Sequence, residues 1–322
     1  MPQFPRPIIV ISRCSDFDAC RYNGQINRAS LREELEPHVS FEPICPELEI
    51  GLGVPRDPIR IVRSDDGARL LQPSTHRDLT DAMRSFSSRY LGAVGEVDGF
   101  ILKSRSPSCA VGNARVHPSE RSDEVTGTAP GMFAEHVLER FPLAAVEDEG
   151  RLQDMRIRDR FLTRAFALAA VREQAGTDME SLVGFHARNE LLLMVHGQAG
   201  MRAAGRIVAN ARNLPFGDVV SGYRDAFASA LARPARAPAH VNAMQHAFGH
   251  LSDRLSAGER SYFHDLLDAF RGGSLQVSAP LSLLRSWAER CDDDYLRGQT
   301  YLAPYPSQFV RLERPQQPQF TA

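Results

Sequence analysis

The sequence is short of lysine, of paired cysteines and of long apolar stretches. Lys103 is the only lysine among 38 basic residues. No stretch approaches the roughly 18 consecutive apolar residues that a membrane span needs, and residues 1–7 lack the apolar core of a signal peptide. We therefore expect a cytoplasmic protein without a membrane partner, whose five cysteines stay reduced.

The charge of the chain is nearly balanced, with a formal net charge of -2. This balance gives no overall attraction to nucleic acid or to an anionic membrane, although a local basic surface remains compatible with an RNA substrate. The length of 322 residues favours two domains over one.

Two regions differ in their apolar pattern. Residues 1–175 alternate short apolar runs with helical patterns, which predicts an α/β domain with a mostly parallel, Rossmann-like sheet. The expected strands are 8–11, 39–44, 59–63, 99–103 and 142–146, and the expected helices are 29–35, 78–91, 131–140 and 152–174. Residues 176–322 carry little strand signal and predict an all-α domain, with helices at 179–195, 201–212, 216–231, 239–255, 257–270 and 281–290.

Three cysteines follow predicted strands. Cys14 and Cys45 come after the first two strands, and Cys109 ends the polar loop after residues 99–103. Because parallel strands end at one edge of the sheet, where open α/β sheets form their crevice, the three thiols are expected to converge. On pattern alone, each thiol is also explained as a small buried apolar group, and this interpretation is kept for Cys20 and Cys291.

The spacing of the cysteines favours one kind of metal site, an iron–sulfur cluster, over a structural zinc site. Structural zinc usually uses paired C-x-x-C spacings, which are absent here. Three isolated thiols fit a cuboidal iron–sulfur cluster better, with one iron left without a protein ligand. Glu47 and Ser106 lie near two of these cysteines in sequence, where a carboxylate can accept a proton and a hydroxyl can hold a substrate. A loop-capping role explains both residues as well.

The order of the motifs in the first half resembles that of the thiouracil desulfidase family. The motifs are S-R-C at 12–14, R-Y-N-G at 21–24, C-P-E at 45–47, G-L-G-V-P-R at 51–56 and L-K-S-R-S-P-S-C at 102–109. Ala110 departs from the glycine that is common after the last cysteine. The second half resembles the YbgA-like domain often fused to this family, through F-H-A-R-N-E-L-L-L-M-V-H at 185–196, N-x-x-Q-H-A at 242–247 and Q-x-Y-L-x-P-Y-P at 299–306.

This resemblance implies a [4Fe-4S] cluster held by Cys14, Cys45 and Cys109, with one open iron that takes the sulfur of a thiouracil. Glu47 would be the acid/base and Ser106 the substrate-activating residue. The expected reaction is non-redox hydrolysis that releases hydrosulfide, with 4-thiouridine of tRNA as the main candidate substrate. Substrate-binding residues are expected in both halves, and they are Lys103, Arg56, His186, Arg188 and Tyr301.

Several alternatives stay open at this point. The chain is compatible with an RNA-binding module that has a structural cluster, with a redox cluster protein, and with a desulfidase acting on free 2- or 4-thiouracil. The sequence does not choose between free base and tRNA, identify the RNA-contacting residues of the helical domain, or give the oligomeric state.

Overall fold

The computed structural model describes residues 3–28, 30–65, 67–210 and 212–309. The chain divides into two compact units, residues 1–173 and 174–322. Each unit is described by itself below.

The first unit contains two separate sheets. In the described residues its strands are β1 (Ile8–Ser12), β2 (Ser40–Ile44), β3 (Arg60–Ser64), β4 (Gly67–Gln72), β5 (Arg77–Asp78), β6 (Gly99–Leu102), β7 (Ala114–His117), β8 (Gly127–Ala129) and β9 (Ala145–Asp148). Four strands pair in parallel in the order β2-β1-β6-β9. The predicted α/β domain with a mostly parallel sheet is therefore confirmed.

The two central strands of the parallel sheet, β1 and β6, are buried on both faces, which explains their uninterrupted apolar runs. Ile9, Ile11, Phe100 and Leu102 are completely buried. The helices of this unit are α1 (Leu31–Leu35), α2 (Pro46–Glu49), α3 (Thr80–Ala93), α4 (Met132–Arg140) and α5 (Met155–Gln174).

The second sheet corrects the sequence prediction, which expected only residues 59–63 to form a strand in this region. Five strands pair in the order β5-β4-β3-β7-β8, and only the β3–β7 pair is parallel. The added strands are short, and β4 exposes three of its six residues. Such strands lack both the alternation of apolar and polar residues and the continuous apolar run that predict a strand from sequence.

In the described residues of the second unit, all regular secondary structure is helical, as predicted. Its α-helices are α6 (Met179–Arg188), α7 (Glu190–His196), α8 (Gln198–Val208), α9 (Phe216–Ala232), α10 (Ala237–Gly249), α11 (Ala257–Arg271), α12 (Ser278–Arg290) and α13 (Asp294–Gly298). Among the described residues of the whole chain, no helix combines the length and apolar character of a membrane span.

The prediction of a single helix over residues 179–195 was wrong, because the helix is interrupted at Asn189. The side-chain amide of Gln299 replaces the helical hydrogen bond that is lost there. Its Oε1 accepts from the backbone N–H of Leu191 at 3.2 Å, and its Nε2 donates to the carbonyl of Ala187 at 2.8 Å. The break therefore depends on a residue more than 100 positions away, which local helical periodicity does not reveal.

Candidate active site

The loops after β1 and β2 place Cys14 and Cys45 at the carboxyl edge of the parallel sheet. The carbonyl of Cys14 accepts a hydrogen bond of 2.7 Å from the backbone N–H of Asn27. Cys45 has extended backbone at the start of α2, and its carbonyl accepts from the N–H groups of Leu48 and Glu49. Pro46 at the first helical position suits this turn, because proline fixes a helical φ and lacks only an N–H that would have no partner there.

The loop after β6 brings Cys109 to the same edge. Within this loop the Ser106 hydroxyl accepts from the backbone N–H groups of Ser108 and Cys109, at 3.2 and 3.1 Å. Gly131, the residue before α4, packs directly against the backbone of this loop at Ser108 and Cys109. A Cβ added at Gly131 would be 2.4 Å from the carbonyl carbon of Ser108, so only glycine allows this close approach.

The predicted convergence of the thiols is visible in a cavity of about 800 Å³ that Cys14, Cys45 and Cys109 all line. Cys20 lines it too and is only 4% exposed. Cys14, Cys20 and Cys45 thus line the same cavity, and each of Cys14 and Cys45 influences the pKa of Cys20. Cys20 was not selected from the sequence, and the one available signal was its position directly before the R-Y-N-G motif.

The thiols perturb each other's protonation. The hydrogen bond to Cys14 is the largest cause that raises the pKa of Cys20, to about 11. The contact with Cys20, followed by burial, raises the pKa of Cys45. Burial, followed by the nearby charge of Glu47, raises the pKa of Cys109, although the Ser12 and Ser106 side chains oppose this shift.

The carboxylate of Glu47 is held from both sides. Its Oε1 accepts from the hydroxyl of Ser108 at 3.1 Å and of Ser106 at 3.4 Å. Its Oε2 accepts from Arg56, through Nε at 3.0 Å and through a second bond from Nη2. Glu47 and Ser106 thus meet beside the thiols. Ser108, which is completely buried, was missed from the sequence although it lies inside the 102–109 motif.

Lys103 forms an ion pair with Glu149 and donates to the Ser104 hydroxyl at 3.0 Å. Glu149 also accepts from the backbone N–H of Ser104 at 2.7 Å, so this network connects the loop after β6 to the end of β9. The neighbouring acids Glu147 and Asp148 bond Arg151, through its side chain and its backbone N–H. A direct substrate contact by Lys103 stays a prediction.

The cavity lining is strongly basic, although the chain as a whole is not. It contains Glu47 and Asp148 as acids, against seven arginines and the single lysine. These arginines are Arg13, Arg21, Arg56, Arg60, Arg105, Arg115 and Arg151. In the described part of the chain, the guanidinium groups of Arg21, Arg105 and Arg115 have no carboxylate partner within ion-pair distance.

The other three predicted substrate-binding residues lie in the second unit. His186 contacts the hydroxyl of Tyr223 at 3.2 Å, and burial lowers the pKa of His186. Tyr301 is 3% exposed and contacts His240 at 2.9 Å. Burial lowers the pKa of His240 to about 4. Arg188 is exposed. The substrate roles of His186, Arg188 and Tyr301 stay predictions.

The thiols of Cys14, Cys45 and Cys109 line the cavity, and their chemistry is compatible with an iron–sulfur cluster. Among the described residues, no three His, Cys, Asp or Glu side chains are grouped as ligands of one ion. A cluster instead distributes its thiolates over separate irons around a cube. Interaction with Cys20, followed by burial, raises the pKa of Cys45, and burial raises that of Cys109, whereas bound iron would favour the deprotonated form of a thiol. Cys14, Cys45 and Cys109 therefore fit as ligands.

Fold and site together define an α/β domain with a thiol-lined cavity, followed by a helical domain. Residues 9–149 match the family model of 2-thiouracil desulfurase, and residues 190–306 match a family described as a protein of unknown function, DUF1722. The chain is thus similar to 2-thiouracil desulfurases over residues 9–149 and to DUF1722 proteins over residues 190–306. This confirms the predicted two-part resemblance.

Individual relatives match less than half of the chain each. "Uncharacterized protein YbgA" of Escherichia coli (strain K12) is 29% identical over 156 residues, which cover 47% of this chain and 91% of the relative. "Uncharacterized protein YbbK" of Bacillus subtilis (strain 168) is 28% identical over 112 residues, or 33% of this chain and 74% of the relative. A solved structure described as "[4Fe-4S]-dependent thiouracil desulfidase TudS" aligns with a TM-score of 0.35 and 24% identity, over 46% of this chain and 94% of that one.

Proposed function

We propose that this protein removes sulfur from thiolated uracil by hydrolysis, at a [4Fe-4S] cluster held by Cys14, Cys45 and Cys109. The observation that carries the proposal is one cavity lined by these three thiols, Glu47 and Ser106, in a region that matches the family model of 2-thiouracil desulfurase. When bound, such a cluster supplies a soft iron without a protein ligand, suited to a thiocarbonyl sulfur.

The side chains of the cavity have defined tasks in this reaction. Water adds its oxygen to the ring carbon, the carbon–sulfur bond breaks, and the thiocarbonyl and water become a carbonyl and hydrogen sulfide. Glu47 accepts the first proton of the water through Oε1, because its Oε2 is occupied by Arg56. Ser106, within 3.4 Å of that oxygen, orients the substrate and relays this proton from Glu47 to the leaving sulfur, and the second proton of the water is released as the carbonyl forms.

Thiouridine in tRNA, with 4-thiouridine as the main candidate, is the substrate we favour. Arg21, Arg105 and Arg115 line the cavity without carboxylate partners, and guanidinium groups of this kind are suited to phosphates. Tyr22 beside them is 44% exposed and offers a surface on which a base can stack. The helical unit would contribute further RNA contacts. Free 2- or 4-thiouracil is the alternative substrate.

The test compares substrates on anaerobically reconstituted protein. Hydrosulfide release is measured from tRNA containing 4-thiouridine, from 4-thiouracil and from 2-thiouracil. We expect turnover of the tRNA, and a loss of about 10²–10⁴-fold in kcat for Glu47→Gln, which keeps the shape but removes the base. Cys291→Ala is the matched control, because Cys291 lies in the other unit.

Two outcomes would contradict the proposal. Binding of tRNA without release of hydrosulfide would favour an RNA-binding module with a structural cluster. Reversible reduction of the cluster that accompanies each turnover would favour redox chemistry over hydrolysis.

A further inference from the structure

We propose that Arg56 is a positioning residue that acts on the reaction through Glu47 and does not itself bind the substrate. This inference rests on the proposed function, in which Glu47 is the proton acceptor.

The guanidinium of Arg56 joins three separate segments. Its Nε and Nη2 donate to Oε2 of Glu47 at the start of α2. Its Nη1 donates to the carbonyls of Cys20 at 3.1 Å and Gly53 at 3.0 Å. The backbone N–H of Arg56 also donates to the carbonyl of Tyr22 at 2.8 Å. Arg56 therefore fixes the carboxylate relative to the loops around the cavity.

These contacts leave few hydrogen-bond donors of the Arg56 guanidinium available to a ligand. Four of its five N–H groups have acceptors. The side chain is only 6% exposed, and that of Glu47 is 13% exposed. By contrast, Arg21, Arg105 and Arg115 line the same cavity without carboxylate partners. An incoming phosphate would have to break a buried, hydrogen-bonded ion pair to reach Arg56, which is costly.

The consequence for Glu47 is a single orientation. Arg56 occupies Oε2, and the buried hydroxyl of Ser108 donates to Oε1 at 3.1 Å. The bond from Ser106 to Oε1 is longer, at 3.4 Å, and is therefore the one most readily exchanged for water or substrate. Without Arg56 the glutamate regains rotamer freedom, and a misplaced proton acceptor slows the chemical step.

A double-mutant cycle tests this role by kinetics of hydrosulfide release. Arg56→Met is expected to lower kcat by about 10- to 100-fold and to change KM by less than about threefold, because it removes a group needed only in the transition state. In the Glu47→Gln background the same change is expected to cost less than about threefold more, because both changes act on one group. Arg56→Lys is expected to recover part of kcat, since it keeps the charge but loses the bonds to the Cys20 and Gly53 carbonyls.

Arg69→Met is the matched control. Arg69 forms an ion pair with Asp78 in the second sheet, outside the cavity, so the wild-type rate is expected. Independent effects of Arg56→Met and Glu47→Gln that multiply in the double variant, or a rise in KM that accounts for the whole loss, would overturn the inference and favour a direct substrate contact.

A crystal structure of the Arg56→Met protein gives a readout that does not depend on turnover. We expect the Glu47 carboxylate in a different or mixed rotamer, and an unmoved carboxylate overturns the inference. If this variant does not fold, the structure of Arg56→Lys answers the same question. Wild-type protein that releases no hydrosulfide would instead refute the proposed function, while the crystal structures would still decide whether Arg56 positions Glu47.

Discussion

At the scale of single residues, the main feature is the group of four cysteine thiols that line the cavity. Interaction with Cys14 raises the pKa of Cys20, and interaction with Cys20 raises that of Cys45, whereas burial is the largest cause that raises the pKa of Cys109. The causes of the pKa shifts therefore differ among the thiols of the cavity. In our proposal Cys20 stays a thiol beside two cluster ligands, and the free iron remains available to substrate.

Alanine variants of the cysteines separate ligands from neighbours. We expect Cys14→Ala, Cys45→Ala and Cys109→Ala each to lose most of the bound iron, because a cluster with two protein ligands is poorly held. Cys20→Ala is expected to keep it, as is the control Cys291→Ala. Iron and acid-labile sulfide are counted on anaerobically purified protein. Iron loss in Cys20→Ala equal to that in Cys14→Ala would make Cys20 a fourth ligand and remove the open iron from the mechanism.

At the scale of structural elements, the start of α4 holds the loop that carries Cys109. The backbone N–H groups of Phe133 and Ala134 donate to the carbonyl of Ser108, and that of Gly131 donates to the carbonyl of Ala110. These bonds, together with the close approach at Gly131, make the helix start part of the wall of the site.

Gly131→Ala tests this packing. Gly131 has ordinary negative φ, so the effect is steric, since the new methyl would lie within 2.7 Å of three backbone atoms of residues 108 and 109. We expect a destabilisation of about 1–3 kcal/mol and a lower iron content, because the Cys109 loop must move. Thermal unfolding and iron analysis measure both effects. Gly127→Ala is the matched control, since a Cβ there meets nothing within 4 Å. Equal behaviour of the two variants would refute the role of this contact.

At the scale of the whole molecule, the distribution of charge matters more than its sum. The formal net charge is -2, yet the lining of the cavity carries eight basic side chains against two acids. Five of these eight basic side chains are ion-paired with carboxylates, so the positive charge available to a polyanionic substrate comes from Arg21, Arg105 and Arg115.

This distribution predicts a strong dependence on salt. Three phosphate contacts, from Arg21, Arg105 and Arg115, give a slope of about -2.1 to -2.7 for log affinity against log salt, so tRNA binding should weaken about 20- to 40-fold between 50 and 200 mM. Turnover of uncharged 4-thiouracil should change little. Replacing each arginine by methionine should reduce the slope by about one. The dissociation constant for tRNA is measured at each salt concentration, and an unchanged slope in the triple variant would refute phosphate binding by these residues.

The sequence by itself determined the parallel sheet and the placement of three thiols at its edge. Continuous apolar runs indicate strands buried on both faces, and parallel strands end at a common edge. Only the tertiary structure decided that Cys20 joins these thiols, that Arg56 and Ser108 hold Glu47, and that Gln299 fills the break between α6 and α7. Each of these contacts joins residues that are far apart in the chain or depends on the path of an irregular loop. Local periodicity carries no information about such pairs, because they form only when the packed elements bring the side chains together.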